Sequence, residues 1–138
     1  MTQKSGIKKD SSNTWNPGRK WLNFPDPFGY GDKYRPVFPL RHHTLKALLD
    51  NIPDTVECIY VYGSSLRLDT AFNSDLDVFI VGMLTNDELG KIFRAVPEHE
   101  KLDVLVETRE EFLNNLDNHW NTLYKKIYEG GYKVYERS

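Results

Sequence analysis

The sequence predicts an α+β fold in which a small sheet of about four strands is flanked by helices. Four short apolar runs, at residues 56–62, 75–81, 102–106 and 132–135, are typical of β-strands. Between them lie segments in which apolar residues recur at helical spacing. A chain of 138 residues, with 39% hydrophobic and 28% charged residues, has the size and composition of one globular domain.

The first helical segment is predicted over residues 44–51, where leucines are spaced so that one helix face would lie on the sheet. Pro53 is expected to end this helix. Ser64 or Ser65 is then expected to cap a short helix that continues to about Thr70. Phosphate would approach the N-terminus of that short helix, because free N–H groups and the helix dipole favour anions there.

Two longer helices are predicted further along the chain. Thr85 is expected to cap the first of them, and Thr108 the second, which would be one long helix ending at Gly130. Lys125 and Lys126 would lie near the C-terminus of the long helix, in agreement with its dipole. The side chains expected to face inward are Leu89, Ile92 and Phe93 in the first helix and Phe112, Leu116, Trp120, Leu123 and Ile127 in the second.

Residues 1–40 are predicted to form an N-terminal extension, and residues 41–138 the main domain. From position 15 onward the extension carries five prolines and seven aromatic residues. The prolines disfavour a continuous helix, whereas the aromatic rings have too much apolar surface to remain in water. We therefore expect an irregular but ordered segment that packs on the domain or on another chain. Lys20, Lys33 and Arg35 lie among the rings, a pattern that would also suit base stacking with phosphate contact.

The net charge of −2 conceals an asymmetry along the chain. Residues 1–41 carry a balance of +5, and the remainder carries −7. A basic arm on an acidic body could fold back over it, bind a partner protein or contact nucleic acid. The sequence leaves these three alternatives open.

Several classes of protein are not expected from this sequence. No apolar run approaches the ~20 residues that span a bilayer, and the polar N-terminus gives no sign of an export signal. We therefore expect a cytoplasmic protein, with Cys58 as a small buried thiol in a reducing compartment. His42 and His43 are expected to face solvent or to cap a helix, because no further ligand follows at zinc spacing.

The residues that indicate chemistry are a Gly-Ser turn and an Asp-x-Asp pair. The strand at 56–62 leads into Gly63 and Ser64, and Asp75 and Asp77 follow at the start of the next strand. Because alternate side chains of a strand point to the same face, the two carboxylates should project together. Carboxylates held so close repel each other unless a cation lies between them, and their oxygens suit Mg²⁺ or Mn²⁺. The pair therefore predicts a metal ion and a phosphate ligand.

A third acidic residue strengthens this prediction. Asp103 is expected to point inward from the strand at 102–106, whereas Glu107, at the far end of that strand, is expected to meet solvent. Three carboxylates on adjacent strands could hold two divalent ions. Such a pair of ions is the usual arrangement for in-line displacement at phosphorus.

In Gly63-Ser64, Asp75-x-Asp77 and Asp103, the sequence resembles the nucleotidyltransferase superfamily related to DNA polymerase β. Within it the chain looks like the minimal nucleotidyltransferases, small single-domain proteins that are often encoded beside a partner protein and act as antitoxins. The resemblance covers roughly residues 44–136. It implies a small mixed sheet flanked by helices.

The resemblance also implies roles for these residues. Gly63 and Ser64 would bind nucleotide phosphates, Asp75 and Asp77 would hold the metal ions, and Asp103 would bind metal and assist deprotonation of the attacking hydroxyl. A separate candidate is Arg67, whose fork of donors could steady a triphosphate. One departure concerns the next position, because the family often has Arg-Gly where this chain has Arg67 followed by leucine.

The resemblance implies an enzyme that moves a nucleoside monophosphate, AMP from ATP, onto a hydroxyl with Mg²⁺ or Mn²⁺ as cofactor. By similarity to the antitoxin branch, the acceptor would be a protein, with AMP placed on a tyrosine of a toxin partner. Two alternatives remain open. One is an inactive binding module that neutralises a partner by contact, with Leu68 as a sign of drift. The other is a nucleic-acid-binding accessory protein that acts through its basic aromatic arm.

Overall fold

The computed structural model describes residues 21–67, 75–97, 101–116 and 122–137. Within these ranges one mixed sheet forms in the order β3-β2-β1-β4. β1 is antiparallel to both β2 and β4, whereas β2 and β3 are parallel. The predicted α+β fold with a small mixed sheet is confirmed, and each strand ends within one residue of its expected position. The strands are β1 (Val56–Tyr62), β2 (Leu76–Gly82), β3 (Leu102–Glu107) and β4 (Tyr132–Glu136).

Four α-helices in the described ranges flank the sheet, namely α1 (His42–Leu49), α2 (Asn86–Ala95), α3 (Arg109–Leu116) and α4 (Thr122–Gly130). None of the helices in the described ranges combines the length and the apolar character needed to cross a membrane. Three short 3-10 helices complete the elements, at Asp32–Tyr34, Pro39–Arg41 and Gly63–Leu66.

The sheet separates two apolar clusters, because alternate residues of each strand face opposite sides. On the first face Leu45 of α1 and Ile92 of α2 are fully buried, together with Val78 of β2. On the second face the rings of Tyr60 and Phe79 lie 5.8 and 5.2 Å from the ring of Phe112, which belongs to α3. Cys58 is buried on this second face, as predicted. Burial on both faces explains the almost continuously apolar sequence of β1 and β2.

The described part of the N-terminal extension, residues 21–40, packs on the domain. Tyr34 and Val37 belong to the first apolar cluster. The ring of Trp21 meets the ring of Tyr132 edge-on at 5.5 Å, and the Tyr132 hydroxyl donates a hydrogen bond of 2.7 Å to the Lys33 carbonyl. The expectation of an ordered, irregular segment that packs on the domain therefore holds for these residues. Residues 1–20 lie outside the described ranges, and the boundary at residue 40 stays a prediction.

Both predicted threonine caps are present. Thr85 accepts a hydrogen bond from the Glu88 amide, while the Glu88 carboxylate accepts one from the Thr85 amide. Thr108 and Glu111 form the same reciprocal pair at the start of α3. Each pair satisfies two backbone donors that a helix N-terminus otherwise leaves free.

The prediction of one long helix after Thr108 is wrong. Phe112 of α3 and Tyr124 of α4 have ring centroids 6.1 Å apart, and the Asn115 amide donates a hydrogen bond of 2.9 Å to the Tyr124 hydroxyl. Twelve residues of continuous helix would separate the two rings by about 18 Å along the axis. The chain therefore turns back between α3 and α4, and Trp120 lies outside the described residues.

Two side-chain orientations also differ from the prediction. Phe93 was expected to face inward from α2 but is 44% exposed, because the buried stripe of this helix centres on Ile92. His42 was expected at the surface or at a cap but is fully buried on α1. Its Nε2 lies 2.8 Å from the Val37 carbonyl, so it joins the helix to the extension. His43 is exposed, as expected.

The burial of His42 should make folding sensitive to acid. Burial lowers the pKa of this imidazole, whereas in the unfolded chain it takes up a proton near its ordinary pKa of 6.5. The unfolded state therefore binds more protons as pH falls below about 6.5, and the free energy of unfolding should decrease. His42→Gln should reduce this acid sensitivity in denaturant titrations, while His43→Gln should retain it. Equal pH dependence in the two variants would contradict the assignment.

Candidate active site at the end of strands β1, β2 and β3

The sheet register aligns three residues in one row across neighbouring strands. Tyr62 of β1 is paired with Asp77 of β2, and Asp77 is paired with Asp103 of β3. Directly paired residues project from the same face of a sheet, with Cβ atoms about 4.5–5.5 Å apart. We call these three residues the acidic row. It lies on the face covered by α3 and α4, because Leu76 and Val78 point into the opposite cluster.

Gly63 follows Tyr62 directly and touches the acidic row. Its φ of +79° is a conformation that residues with a side chain rarely adopt. A Cβ built on Gly63 would lie 2.9 Å from Oδ2 of Asp77. The backbone of the turn therefore lies against the carboxylate, and only glycine allows this approach. The glycine that the sequence singled out is required by both conformation and space.

The carboxyl groups of the acidic row are electrostatically coupled. The pKa of Asp77 is raised to about 6, most of all by burial and then by the negative charges of Asp103 and Asp75. Burial likewise raises the pKa of Tyr62 to about 12, with smaller contributions from Asp77 and Asp103. The site therefore concentrates negative charge that is only partly compensated.

Asp103 and Asp75 differ from Asp77 in their surroundings. Asp103 was expected to point inward but is exposed, because β3 is an edge strand of the sheet. Asp75 precedes β2 and is half-buried. Within the described ranges, no group of three or more His, Cys, Asp or Glu side chains is placed so as to hold a metal ion. The three acids therefore do not form a closed three-carboxylate site, and their metal role stays a prediction.

The pair Asp77 and Asp103 nevertheless suits a divalent cation. The two carboxyl groups are adjacent on paired strands, and a cation between them would relieve the repulsion between their charges. Their donor atoms are all oxygens, and Mg²⁺ typically binds through one or two carboxylates together with substrate phosphates. Asp77 and Asp103 supply these two carboxylates, and Asp75 lies nearby in the chain. The ion therefore does not need a third carboxylate as a direct ligand.

The segment after β1 differs from the predicted short helix with a serine at its N-cap. A four-residue 3-10 helix, Gly63–Leu66, begins after Tyr62 without a side-chain cap, and Arg67 is already extended. Thr70 and Leu68 lie outside the described residues. The Ser65 carbonyl accepts a hydrogen bond of 2.7 Å from the Phe38 amide, so the extension holds the turn in place.

Ser64 is half-buried and Arg67 is exposed. Both are therefore reachable by a ligand at the turn, but nothing in the geometry tests their predicted phosphate contacts. Ser65 is fully buried, and its hydroxyl has no hydrogen-bond partner among the described residues. Ser64 or Ser65 was expected to cap a short helix that continues to about Thr70, but the N-cap residue of the 3-10 helix is Tyr62 and both serines lie inside it.

Glu107 was expected to meet solvent, but it belongs to a hydrogen-bond network beneath α3 and α4. Its carboxylate accepts bonds of 3.0 and 3.2 Å from the Asn115 amide and a further bond from the Tyr124 hydroxyl. This network ties β3 to both helices that cover the acidic row. Its residues therefore hold the scaffold of the site in place.

Sequence inspection missed two residues at this site. Tyr62 was passed over as an apolar strand residue, although its position two before Ser64 and its strand parity could have placed it beside the Asp-x-Asp pair. Lys126 was assigned to helix-dipole stabilisation, whereas in the structure its positive charge acts on Asp77 and lowers the pKa of that carboxyl. No local signal indicates this role, because it depends on how α4 packs against the sheet.

Of the comparisons with known proteins, only the comparison with solved structures found similar proteins. The fold is similar to the toxin–antitoxin MntA-HpeT in a mutant form, with 19% identity, a TM-score of 0.43, and coverage of 70% of this chain and 72% of that chain. It is also similar to a toxin–antitoxin structure with AMP-PNP, with 21% identity, a TM-score of 0.45, and coverage of 70% and 73%. The sequence matches no family model. It also matches no curated protein.

Replacement of Gly63 by alanine should disturb the acidic row beyond the backbone strain. Gly29 provides a matched control, because its φ is +69° but a Cβ there would meet nothing within 4 Å. Each substitution should cost about 1–2 kcal/mol of unfolding free energy through the left-handed backbone. Only Gly63→Ala should also displace the Asp77 carboxylate and weaken divalent-cation binding in calorimetry. Equal cation binding by the two variants would exclude the close contact.

Replacement of Asp77 by asparagine should stabilise the metal-free protein at neutral pH. The pKa of Asp77 is about 6 in the folded chain and about 3.8 when unperturbed, so folding opposes its ionisation. The wild type should therefore lose unfolding free energy relative to Asp77→Asn as pH rises from about 4 to about 7, by about 1 kcal/mol after solvent screening.

Denaturant titrations in a chelator, at about pH 4.5 and about pH 7.5, measure this difference. Asp54→Asn is the control, since Asp54 is exposed and precedes the opposite end of β1. Added Mg²⁺ should restore the stability of the wild type and leave Asp77→Asn unchanged. Parallel pH profiles for Asp77→Asn and the wild type would show that Asp77 is not electrostatically strained.

Proposed function

We propose that this chain is a metal-dependent nucleotidyltransferase that moves AMP from ATP onto a hydroxyl of a protein acceptor. The observation that carries the proposal is the acidic row, in which Asp77 is paired with Asp103 on the neighbouring strand and lies against the backbone of Gly63. A concentrated negative charge beside a turn accessible to a phosphorylated ligand suits phosphoryl transfer, which depends mainly on positioning and electrostatic stabilisation.

In the proposed reaction the acceptor hydroxyl attacks the α-phosphorus of ATP. A bond forms between the hydroxyl oxygen and this phosphorus, the bond to the oxygen that bridges to the β-phosphorus breaks, and pyrophosphate leaves. Asp103 takes the proton of the hydroxyl, and Asp75 and Asp77 would hold the divalent ion together with Asp103. When bound, Mg²⁺ or Mn²⁺ would offset the negative charges of both the triphosphate and the carboxylates, so that the two can lie close together.

The phosphates are assigned to Gly63 and Ser64, with Arg67 as a further donor. The positive φ of Gly63 turns the chain sharply at the end of β1, and this leaves the turn beside the carboxylates. Arg67 is exposed at the end of the same turn and can reach a ligand there. These assignments follow the Gly-Ser and Asp-x-Asp spacing of the sequence.

A protein acceptor is favoured by the position of Asp103. Its side chain is exposed on the edge strand β3. A hydroxyl carried by another chain can therefore approach the carboxylate from outside the sheet. By resemblance to antitoxins of the minimal nucleotidyltransferase type, we assign this hydroxyl to a tyrosine of a toxin partner. A nucleic-acid acceptor has less support, because Phe24 and Tyr34 of the extension are buried rather than free to stack on bases.

Transfer of label from α-labelled ATP, with Mg²⁺ or Mn²⁺ and the protein encoded beside this chain, tests the proposal. The wild type should label the partner, and Asp75→Asn and Asp77→Asn should abolish labelling. Asp103→Asn should slow it by about 10²–10⁴-fold, the usual contribution of a general base. Asp54→Asn should label at the rate of the wild type, because Asp54 is far from the acidic row along β1.

Three other outcomes would contradict the proposal. Partner binding without detectable ATP or metal binding in calorimetry would identify an inactive contact module. Salt-sensitive binding to RNA or DNA that is lost on removing residues 1–20 would identify a nucleic-acid accessory protein. Labelling that survives in Asp77→Asn would place the chemistry elsewhere. Removal of residues 1–41 is unsuitable as a test, since Tyr34 and Val37 belong to the core.

A further inference from the structure

The last helix delivers its C-terminal half to the end of the sheet where the acidic row lies. α4 is followed by Gly131 alone before β4 begins, and Tyr132, the first residue of β4, is paired with Val61 of β1. Val61 directly precedes Tyr62 of the acidic row. The short connection therefore fixes the end of α4 close to the site, independently of any side-chain contact.

The inner face of α4 packs into the buried cluster that also contains Tyr62 of the acidic row. Tyr124 and Ile127 are buried in the same cluster as Tyr62, and the Tyr124 ring meets the Phe79 ring at 5.6 Å. Lys126 precedes Ile127 and is exposed. It therefore lies at the rim of the packed face, where its side chain can turn toward the site.

Lys126 is electrostatically linked to the acidic row without closing an ion pair. Its positive charge acts on Asp77, yet in the part of the chain that the structure describes Lys126 forms no salt bridge within 4.0 Å. Lys46 and Lys133, in contrast, are paired with Asp50 and Glu136. The ammonium group of Lys126 is therefore available to an anionic group of a ligand bound beside Asp77.

The side from which Lys126 approaches identifies that group. α4 packs against β1, and β1 continues into the glycine turn at Gly63. Asp103 lies on the other side of Asp77, on β3. The row thus has a β1 side, with the turn and Lys126, and a β3 side, with the exposed carboxylate that an acceptor can reach. A nucleotide bridging the row would place its outer phosphates on the β1 side.

We propose that Lys126 binds the β- and γ-phosphates of the nucleoside triphosphate and stabilises the pyrophosphate that leaves. This inference rests on the proposed function and deepens it by assigning a residue of α4 to the triphosphate. Lysine is suited to the task, because its compact ammonium group contacts phosphate oxygens without a fixed geometry. The same charge placed beside the leaving group acts where negative charge develops during transfer.

The experiment measures binding of ATP, pyrophosphate and AMP by calorimetry in the presence of Mg²⁺. Lys126→Ala should weaken binding of ATP and pyrophosphate by about 10- to 100-fold, the usual effect of losing one charged hydrogen bond. AMP binding should change by less than about threefold, because AMP lacks the outer phosphates. Lys126→Arg should retain most of the affinity for ATP.

Lys91→Ala is the matched control, since Lys91 is an exposed lysine of α2 on the opposite face of the sheet. It should bind all three ligands as the wild type does. Thermal melting should show that both alanine variants remain folded, because neither lysine is buried.

The outcomes separate this inference from the proposed function. If the wild type binds ATP and Asp77→Ala does not, but Lys126→Ala binds ATP as tightly as Lys91→Ala, the assignment of Lys126 is wrong and the proposed function stands. If Lys126→Ala weakened AMP binding and ATP binding equally, the assignment would also be wrong. The lysine would then act through its long-range charge and not through contact with the outer phosphates. If the wild type binds no ATP with either Mg²⁺ or Mn²⁺, the proposed function fails, and the inference fails with it.

Discussion

The contact between the backbone of Gly63 and the carboxylate of Asp77 is the constraint on which the rest of the site depends. The sheet register places Asp77 between Tyr62 and Asp103. The left-handed backbone at Gly63 changes the direction of the chain and still keeps the backbone in contact with the Asp77 carboxylate. Three strands and one turn therefore meet around a single carboxyl group. Any side chain at position 63, or a register slip of one residue, would separate them.

This arrangement places like charges in a partly buried position, which is unfavourable for folding. The scaffold compensates elsewhere, through two apolar clusters on the two faces of the sheet and through the network that joins Glu107 to α3 and α4. An acidic site that is strained when empty is favourably placed to bind cations and phosphorylated ligands, because their binding relieves the repulsion. Stability and ligand binding are thus coupled through the same carboxylates.

Local sequence patterns succeeded where the structure depends on neighbouring residues. The four strands and the threonine caps at residues 85 and 108 follow from strand alternation, apolar runs and capping chemistry. Local sequence patterns failed where contacts between distant segments decide the structure. The chain reverses between α3 and α4 because Phe112 and Tyr124 pack together on the sheet, and His42 is buried because the extension covers α1. Neither contact leaves a local periodic signal.

The sequence by itself singled out the residues to which we assign the chemistry, because a glycine, a serine and three acids near strand ends have few other uses together. Tertiary structure alone decided their surroundings. It placed Asp103 at an exposed edge, since β3 has a neighbour on one side only. It also placed the end of α4, the helix that carries Lys126, beside β1, since a one-residue connection joins α4 to β4. Strand order and helix packing depend on contacts between segments far apart in the chain, and the short-range periodicity of a sequence does not encode them.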